Sequence, residues 1–252
     1  MQEINNTPIG HELIHFSTIG STNDFASELV SKSRPIEGTV VSADFQSKGR
    51  GQYGRKWESS ASENITLSVI MCPSFLDIKD QFYLNMAVSL SIVDLIAAYA
   101  SLIPKVKWPN DVYVSKEKIS GILIQNFLHG QVIQYSVFGI GINVNQRVFP
   151  TDVPNPTSLT VLTDQEFVLK EVREDLFQFL QIRYDQLKND KKMIRRDYMD
   201  HLLGLQTPGK FKIGDELVEG TIQDIDHVGR LIISIDGTEK SFVHGALSQL
   251  IG

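Results

Sequence analysis

A single cysteine, Cys72, stands in 252 residues, so the chain holds no internal disulfide and no Cys-x-x-Cys metal or redox site. Its six histidines form no metal-ligand signature: His11 and His15 share the i, i+4 spacing of a helix face, but no third ligand accompanies them. Surplus positive charge is also missing. Lys and Arg number 24 against 30 Asp and Glu, a net charge of −6, which argues against a broad nucleic-acid surface and leaves room only for a local one. Internal repeats and low-complexity tracts are absent. No apolar run approaches a membrane span, and Met1-Gln-Glu-Ile-Asn-Asn6 lacks a basic segment followed by an apolar one. What remains is an ordinary soluble globular chain, expected in the cytoplasm, long enough for one large domain or a large and a small one.

Against that acidic background, Gln46-Ser-Lys-Gly-Arg-Gly-Gln-Tyr-Gly-Arg-Lys-Trp57 gathers three glycines and four cations into twelve residues with no acid. Glycines let successive backbone N–H groups point into one concavity, and Lys48, Arg50, Arg55 and Lys56 place charge-assisted donors around it. A phosphate or carboxylate is the natural guest. Gly49, Gly51 and Gly54 also spell G-x-G-x-x-G, the dinucleotide fingerprint, but the context is wrong for it. Residues 38–45 supply the preceding strand. Residues 56–62, however, are Ser-rich and lead to another strand-like run at 64–71 instead of opening a helix, and Met71-Cys72-Pro73 occupy the place of the ribose-binding acid. Composition alone leaves a solvated basic hairpin tip as the alternative.

Ser21-Thr22-Asn23-Asp24 precedes an amphipathic stretch with Phe25, Leu29 and Val30 on one face. Ser21 with Asp24 fits a capping box and Asn23 could cap equally; because a cap needs only one of these groups, the others stay available to a small polar ligand. Residues 81–100 carry Leu84, Val88, Ile92, Leu95, Ile96 and Tyr99 at helical spacing, which predicts a buried core helix without chemistry. Lys105-Val-Lys-Trp-Pro-Asn-Asp-Val-Tyr-Val114 reads as two short strands joined by Pro109-Asn110-Asp111, residues that tight turns favour in any case. Residues 118–125 and 133–144 read as strands. A lysine such as Lys118 at a strand edge is ordinarily a solvated gatekeeper, whereas Gly139 and Gly141 inside a strand suggest a close approach to the backbone.

In combination these segments are specific. Ser21-Thr22-Asn23, the Gly-Arg-Gly-Gln-Tyr-Gly-Arg-Lys-Trp loop, Lys107-Trp-Pro-Asn-Asp111, Lys118-Ile-Ser-Gly-Ile-Leu123 and Gly139-Ile-Gly-Ile-Asn143 follow the order and approximate spacing of biotin protein ligases. From about Ser17 onward the chain resembles that family, and Pro156-Thr-Ser-Leu159 is similar to the segment before the family's last helices. The resemblance implies an α+β fold of the class II synthetase-like kind, a mixed central β-sheet flanked by helices, with a small C-terminal β-barrel. It implies ATP-dependent activation of biotin as biotinyl-5′-AMP and transfer to a lysine of a biotin carboxyl carrier protein, with Mg²⁺ neutralising the departing pyrophosphate. No DNA or membrane partner is implied: only about 15 residues precede the catalytic region, where some members carry a DNA-binding helix-turn-helix domain. A homodimer through a sheet surface is within the family's range.

By motif position, the resemblance assigns Ser21, Thr22, Asn23 and Gln46 to biotin's ureido end, and Arg50, Gly51 and Gln52 to the carboxylate and phosphate. Lys118, with Gly121 close by, would stand between biotin's carboxylate and the α-phosphate. The catalytic set is Lys118, Arg50 and Asp111, the last able to orient Lys118, to help hold Mg²⁺ or to take the proton the acceptor lysine loses. Arg55, Trp57, Lys107, Asn110 and Asn143 fall on the nucleotide side, Trp57 more as an anchor of the loop than as chemistry. Metal ligands are not assigned.

Two departures stand out. Gln52 occupies a position where many members carry a third arginine, which weakens the expected grip on the anionic adenylate. His244-Gly-Ala-Leu-Ser-Gln249 replaces an acid and an arginine found in some relatives, which puts that tail's role in ATP binding in doubt. Lipoate–protein ligase and a non-catalytic biotin- or nucleotide-binding module are the rival readings. Trp57 and the Lys-Trp-Pro-Asn-Asp run favour biotin, and Lys118 with Arg50 argue against a degenerate site. Residues 165–188 and 191–203 read as helices and 204–209 as a linker, dividing the chain into a catalytic domain, 1–204, and a barrel, 209–252, with a hairpin turn at Asp236-Gly237. A barrel that small is marginal alone and is expected to pack on the main domain.

Overall fold

Runs of β-branched residues with short turns between them set the strands, and a computed structural model describes them for residues 7–151 and 153–251. The first part of the chain forms β1 (Leu13–Ile19), α1 (Thr22–Lys32), β2 (Val40–Gln46), β3 (Asn64–Met71), α2 (Phe82–Ala100), β4 (Lys105–Lys107), β5 (Asp111–Val114), β6 (Glu117–His129) and β7 (Val132–Asn143). Helices α3 (Leu159–Thr163), α4 (Leu169–Asn189) and α5 (Lys191–Asp200) follow, then β8 (Pro208–Ile213), β9 (Glu216–Ile225), β10 (Leu231–Ile235), β11 (Thr238–Phe242) and β12 (Ser248–Leu250). Strands β1 to β7 make one mixed sheet in the order β1-β2-β3-β7-β6-β5-β4, parallel between β1 and β2 and antiparallel elsewhere. The expected barrel takes the form of a five-stranded antiparallel sheet, β11-β10-β9-β8-β12, whose edge strands are not hydrogen-bonded to each other among the described residues. Phe211, Ile222, Ile225 and Leu231 from this second sheet join the same apolar core as Val106 and Trp108 from the first.

Some elements differ from the sequence-based expectation for local reasons. His15 lies on β1 paired with β2, its Nε2 3.3 Å from Asp44, so the helical spacing of His11 and His15 has no structural counterpart. Helix α4 starts at Leu169 and not at residue 165, because the Asn145 amide accepts from the Phe167 N–H (3.0 Å) and donates to its carbonyl (2.8 Å), holding that segment out of the helix. Helix α5 stops at Asp200, since the backbone of His201 and Leu203 pairs with Val106 of β4. A further correction concerns α2. The segment around it is long and apolar enough to cross a membrane by composition, contrary to the reading that no run approaches that length, yet 67% of its apolar window is buried inside the fold. That apolar surface is consumed by packing on α4, α5 and the sheet.

Alternation along β7 divides the sheet into two faces. Phe138, Ile140 and Ile142 face the main core, while Val137 packs with Ala26 and Val30 of α1 on the other side. Gly139 and Gly141 continue that second face, and the register sets Gly121 of β6 directly opposite Gly141. Bare backbone on neighbouring strands makes a flat patch beyond the N-terminus of α1. The Trp57 indole lies on it: a Cβ at Gly141 would come 2.3 Å from Trp57 Cε2, and one at Gly121 would come 3.2 Å from Cζ3.

The helical layer is tied by one guanidinium. Arg183 of α4 donates through Nε to Asp94 of α2 (2.6 Å) and through Nη1 to Asp197 of α5 (2.7 Å), with its side chain only 14% exposed. Burial alone would raise the Asp197 pKa; hydrogen bonds from Arg183 and Arg196 outweigh it and hold the carboxyl below its ordinary value.

Arg183→Met leaves two half-buried carboxylates without their partner and is expected to lower stability by on the order of 3 kcal/mol, read by urea unfolding at pH 7. Because the folded pKa of Asp197 is depressed, its contribution is complete above the unfolded value near 3.8 and is lost as pH falls through the lower folded value; the variant's acid unfolding should be correspondingly flatter. Gly141→Ala should displace Trp57 and the loop it ends, quenching less of the indole fluorescence while the fold survives.

Candidate active site

The glycine loop begins where β2 ends and closes on itself. Trp57 N–H donates to Gly49 O (3.0 Å) and Gly51 N–H to Arg55 O (2.7 Å), around a single 3₁₀ turn over Gln52–Gly54. Tyr53 (φ 53°) and Gly54 (φ 74°) both adopt the left-handed conformation that lets the chain reverse there. No helix follows, as the dinucleotide reading would require; the chain runs through coil into β3. Two side chains pin the loop to the sheet side: Arg50 pairs with Asp24 in the first turn of α1, and Gln52 Nε2 donates to Ile122 O on β6 (3.3 Å).

Beneath the loop lies a cavity of about 400 Å³. Ser21, Thr22, Asn23, Gln46, Arg50, Gly51, Gln52, Arg55, Trp57, Lys107, Asn110, Asp111, Lys118 and Gly121 all line it, although they come from four separate stretches of chain. Asn143 does not. It is buried, and its amide donates to Thr157 O (2.9 Å), bracing the turn into α3. A second cavity, of about 780 Å³, lies on the other side of the loop against Gln146, Val148 and Phe149, so Arg50, Arg55, Lys56 and Trp57 border both.

One end of the first cavity is polar and neutral. Ser21 caps α1 by accepting from Asp24 N–H (3.3 Å), which frees Thr22 and Asn23 to point inward. Gln46 Oε1 accepts from both the Thr22 N–H (2.8 Å) and its hydroxyl (3.1 Å), and the hydroxyl also meets Ser68 Oγ at 3.0 Å. Asn23 donates to Leu123 O (3.4 Å), leaving its carbonyl oxygen buried and without a partner. Gln52 Oε1 and Trp57 Nε1 are likewise buried and unpaired. Native proteins keep few such groups, and three around one cavity make a set of donors and acceptors built for a ligand. Leu67, Ile122, Leu123 and Ile140 supply apolar wall between them.

The other end is cationic. Arg50, Arg55, Lys56, Lys107 and Lys118 line the cavity with Asp111 as the one carboxylate among the described residues. Lys118 Nζ is 2.8 Å from Asp111 Oδ1 and 6.0 Å from the Trp57 ring centroid, so the carboxylate and the indole together orient the ammonium. Burial lowers the Lys107 pKa; Asp111 opposes that effect, and repulsion from Lys118 and Arg55 adds smaller contributions to the lowering. The site stores repulsion that an incoming anion relieves.

The sequence left open whether the His244–Gln249 tail takes part in the site. Leu231, His244, Gly245, Leu247, Ser248 and Gln249, all in the second sheet and its connections, line the same cavity. Trp108 anchors this wall by donating Nε1–H to Gly229 O (3.0 Å). Burial pushes the His244 pKa down to about 4, with Arg55 adding to the effect and Asp111 opposing it, so its imidazole is neutral at pH 7. The tail whose role was in doubt thus closes the cavity, without the acid and arginine found in some relatives.

Known proteins are similar to this chain in sequence and fold. The model of the biotin/lipoate A/B protein ligase family matches residues 16–143, the span that holds every predicted site residue. The biotin–acetyl-CoA-carboxylase ligase of Mycobacterium tuberculosis is 30% identical over 223 residues, covering 86% of this chain and 81% of its own. The bifunctional ligase/repressor BirA of Bacillus spizizenii is 29% identical, over 93% of this chain and 73% of its own. Among solved structures, the biotin protein ligase of Aquifex aeolicus in complex with biotin and ATP superposes with a TM-score of 0.79 at 26% identity, covering 96% of this chain and 99% of that one. The chain belongs to the biotin/lipoate A/B protein ligase family.

Proposed function

We propose that the cavity joins biotin to ATP and passes the biotinyl group to a protein lysine, as the ATP-dependent biotin protein ligases similar to this chain do. The observation that carries the reading is one cavity with a neutral polar end at Thr22, Asn23 and Gln46 and a cationic end at Lys118, Arg50 and Arg55. Biotin has the matching polarity: a uncharged ureido ring with donors and acceptors, an apolar body and a carboxylate tail. The unpaired Asn23 carbonyl oxygen suits a ureido N–H.

In the first step a carboxylate oxygen of biotin attacks the α-phosphorus of ATP, the bond to the bridging oxygen breaks, and pyrophosphate leaves. Two anions must meet, so fixed positive charge has to be in place beforehand. Lys118, oriented by Asp111, would stand between them, with Arg50 and the Gly51 backbone beside the new acyl phosphate. In the second step the neutral ε-amine of an acceptor lysine attacks the acyl carbon, AMP departs and an amide forms. Asp111 would take the amine's proton once Lys118 turned to the phosphate; its contact with Lys118 supports that role.

Mg²⁺ would accompany ATP's phosphates. No group of three or more His, Cys, Asp or Glu side chains suited to a metal occurs among the described residues, and Asp111 supplies a single carboxylate. That donor set fits Mg²⁺ held chiefly by phosphate oxygens and water, where it would neutralise the leaving pyrophosphate. The acceptor we assign is a lysine on a biotin carboxyl carrier domain, and the compartment the cytoplasm.

ATP–pyrophosphate exchange with biotin, lipoate or no acid tests the reading. Exchange is expected with biotin and not with lipoate, and Lys118→Ala should lower it by roughly 10²- to 10³-fold, the weight of one fixed charge on a developing anion. Lipoate-dependent exchange would reassign the substrate. Gln52→Arg adds a cation beside the phosphate and should slow release of biotinyl-AMP; an unchanged release rate would remove the assigned role of this position.

A further inference from the structure

Tyr53, at the tip of the glycine loop, is 71% exposed, so its contacts do not serve the core. Those contacts nevertheless join two separate parts of the cavity wall. Its hydroxyl donates to the backbone carbonyl of His244 (2.8 Å), 191 residues away, and its ring meets the His244 imidazole edge-on at 4.7 Å. The imidazole in turn meets the Trp108 indole edge-on at 5.5 Å. Gly245 makes the approach possible: its φ of +85° suits glycine, and a Cβ there would stand 3.0 Å from Tyr53 Cζ. One aromatic row therefore runs from the loop, through the connection between β11 and β12, to the turn between Lys107 and Asp111.

We propose that Tyr53 and His244 form a clasp that retains the acyl-adenylate between its formation and its capture by the acceptor lysine; this rests on the reading above. Tyr53 and His244 both line the cavity that Asn23 and Lys118 also line, so their contact joins the glycine loop to the connection between β11 and β12 at the cavity wall. The neighbouring residue is the uncharged Gln52, so retention cannot rest on a cation at that position and passes to a mechanical contact. The clasp is built to open: one neutral hydrogen bond and two edge-on ring contacts yield easily enough for substrates to enter, yet slow escape measurably. Since burial keeps His244 neutral at pH 7, it adds no charge of its own to the grip.

The test is the dissociation rate of a non-hydrolysable sulfamate analogue of biotinyl-5′-AMP from the full chain, measured by stopped-flow competition and set beside the dissociation of biotin alone. Tyr53→Phe, which removes only the hydroxyl, should release the analogue about fivefold faster. Tyr53→Ala and His244→Ala, which also remove ring contacts, should accelerate it roughly thirtyfold. Biotin, which lacks the nucleotide, should be affected far less. A Tyr53→Ala rate within about twofold of the parent at unchanged thermal stability would overturn the clasp, as would equal acceleration of biotin and analogue. Pyrophosphate exchange by the parent protein separates this result from the functional reading. No exchange with variant-sensitive release would leave the clasp standing and remove the ligase chemistry; exchange with uniform release rates would remove the clasp alone.

Discussion

The Trp57 indole lies flat on the sheet only because Gly121 and Gly141, paired across β6 and β7, present no side chains there. Everything else at the site depends on this contact. The loop between β2 and Trp57 has glycines at its turns and little intrinsic order, so its position is set by where its last residue seats. Once Trp57 is seated, Arg50 reaches Asp24 at the head of α1, Gln52 reaches Ile122 on β6, and the loop roofs a cavity whose floor is the sheet. Glycines in the middle of strands weaken a sheet locally. Here the loss is made good by a large aromatic ring covering the same backbone.

Charge is arranged with similar economy. Five cations approach a cavity that holds one carboxylate, and the lowered pKa of Lys107 reports chiefly burial, with a smaller part from repulsion by Lys118 and Arg55. Such a cluster is unfavourable for folding and favourable for binding two anions at once, which is the common relation between site strain and function. The anchoring that resists the repulsion comes from elsewhere, notably the Arg183 network across α2, α4 and α5 and the core shared by the two sheets.

The sequence made the near side of the site legible and the far side not. Residues 46–57 and 107–111, with Lys118, are conspicuous because glycine, proline and cations mark turns and anion sites through local backbone chemistry, and Ser21 caps α1 as its spacing with Asp24 predicts. The role of Gly139 and Gly141 was readable as close approach, though not the partners, Asn23 and Trp57. Asn143 stands apart from the cavity lining because its amide serves Thr157 in the next turn, a contact that no spacing in the motif announces. His244 and Tyr53 lie 191 positions apart, and no periodicity or spacing rule connects them. The start of α4 failed for the same kind of reason: Asn145, twenty-two residues upstream of Phe167, overrides the helical preference of residues 165–168.

If the cationic cavity unites biotin with ATP and delivers the product to one lysine, the most direct measurement is the intact mass and peptide map of an unmodified biotin carboxyl carrier domain. The domain would be incubated with this protein, Mg²⁺ and ATP in an equimolar mixture of biotin and lipoate. The account predicts one biotinyl group on one lysine, with AMP released in equal amount. Lipoyl addition, or an unchanged carrier mass while the protein still binds biotin, would contradict it.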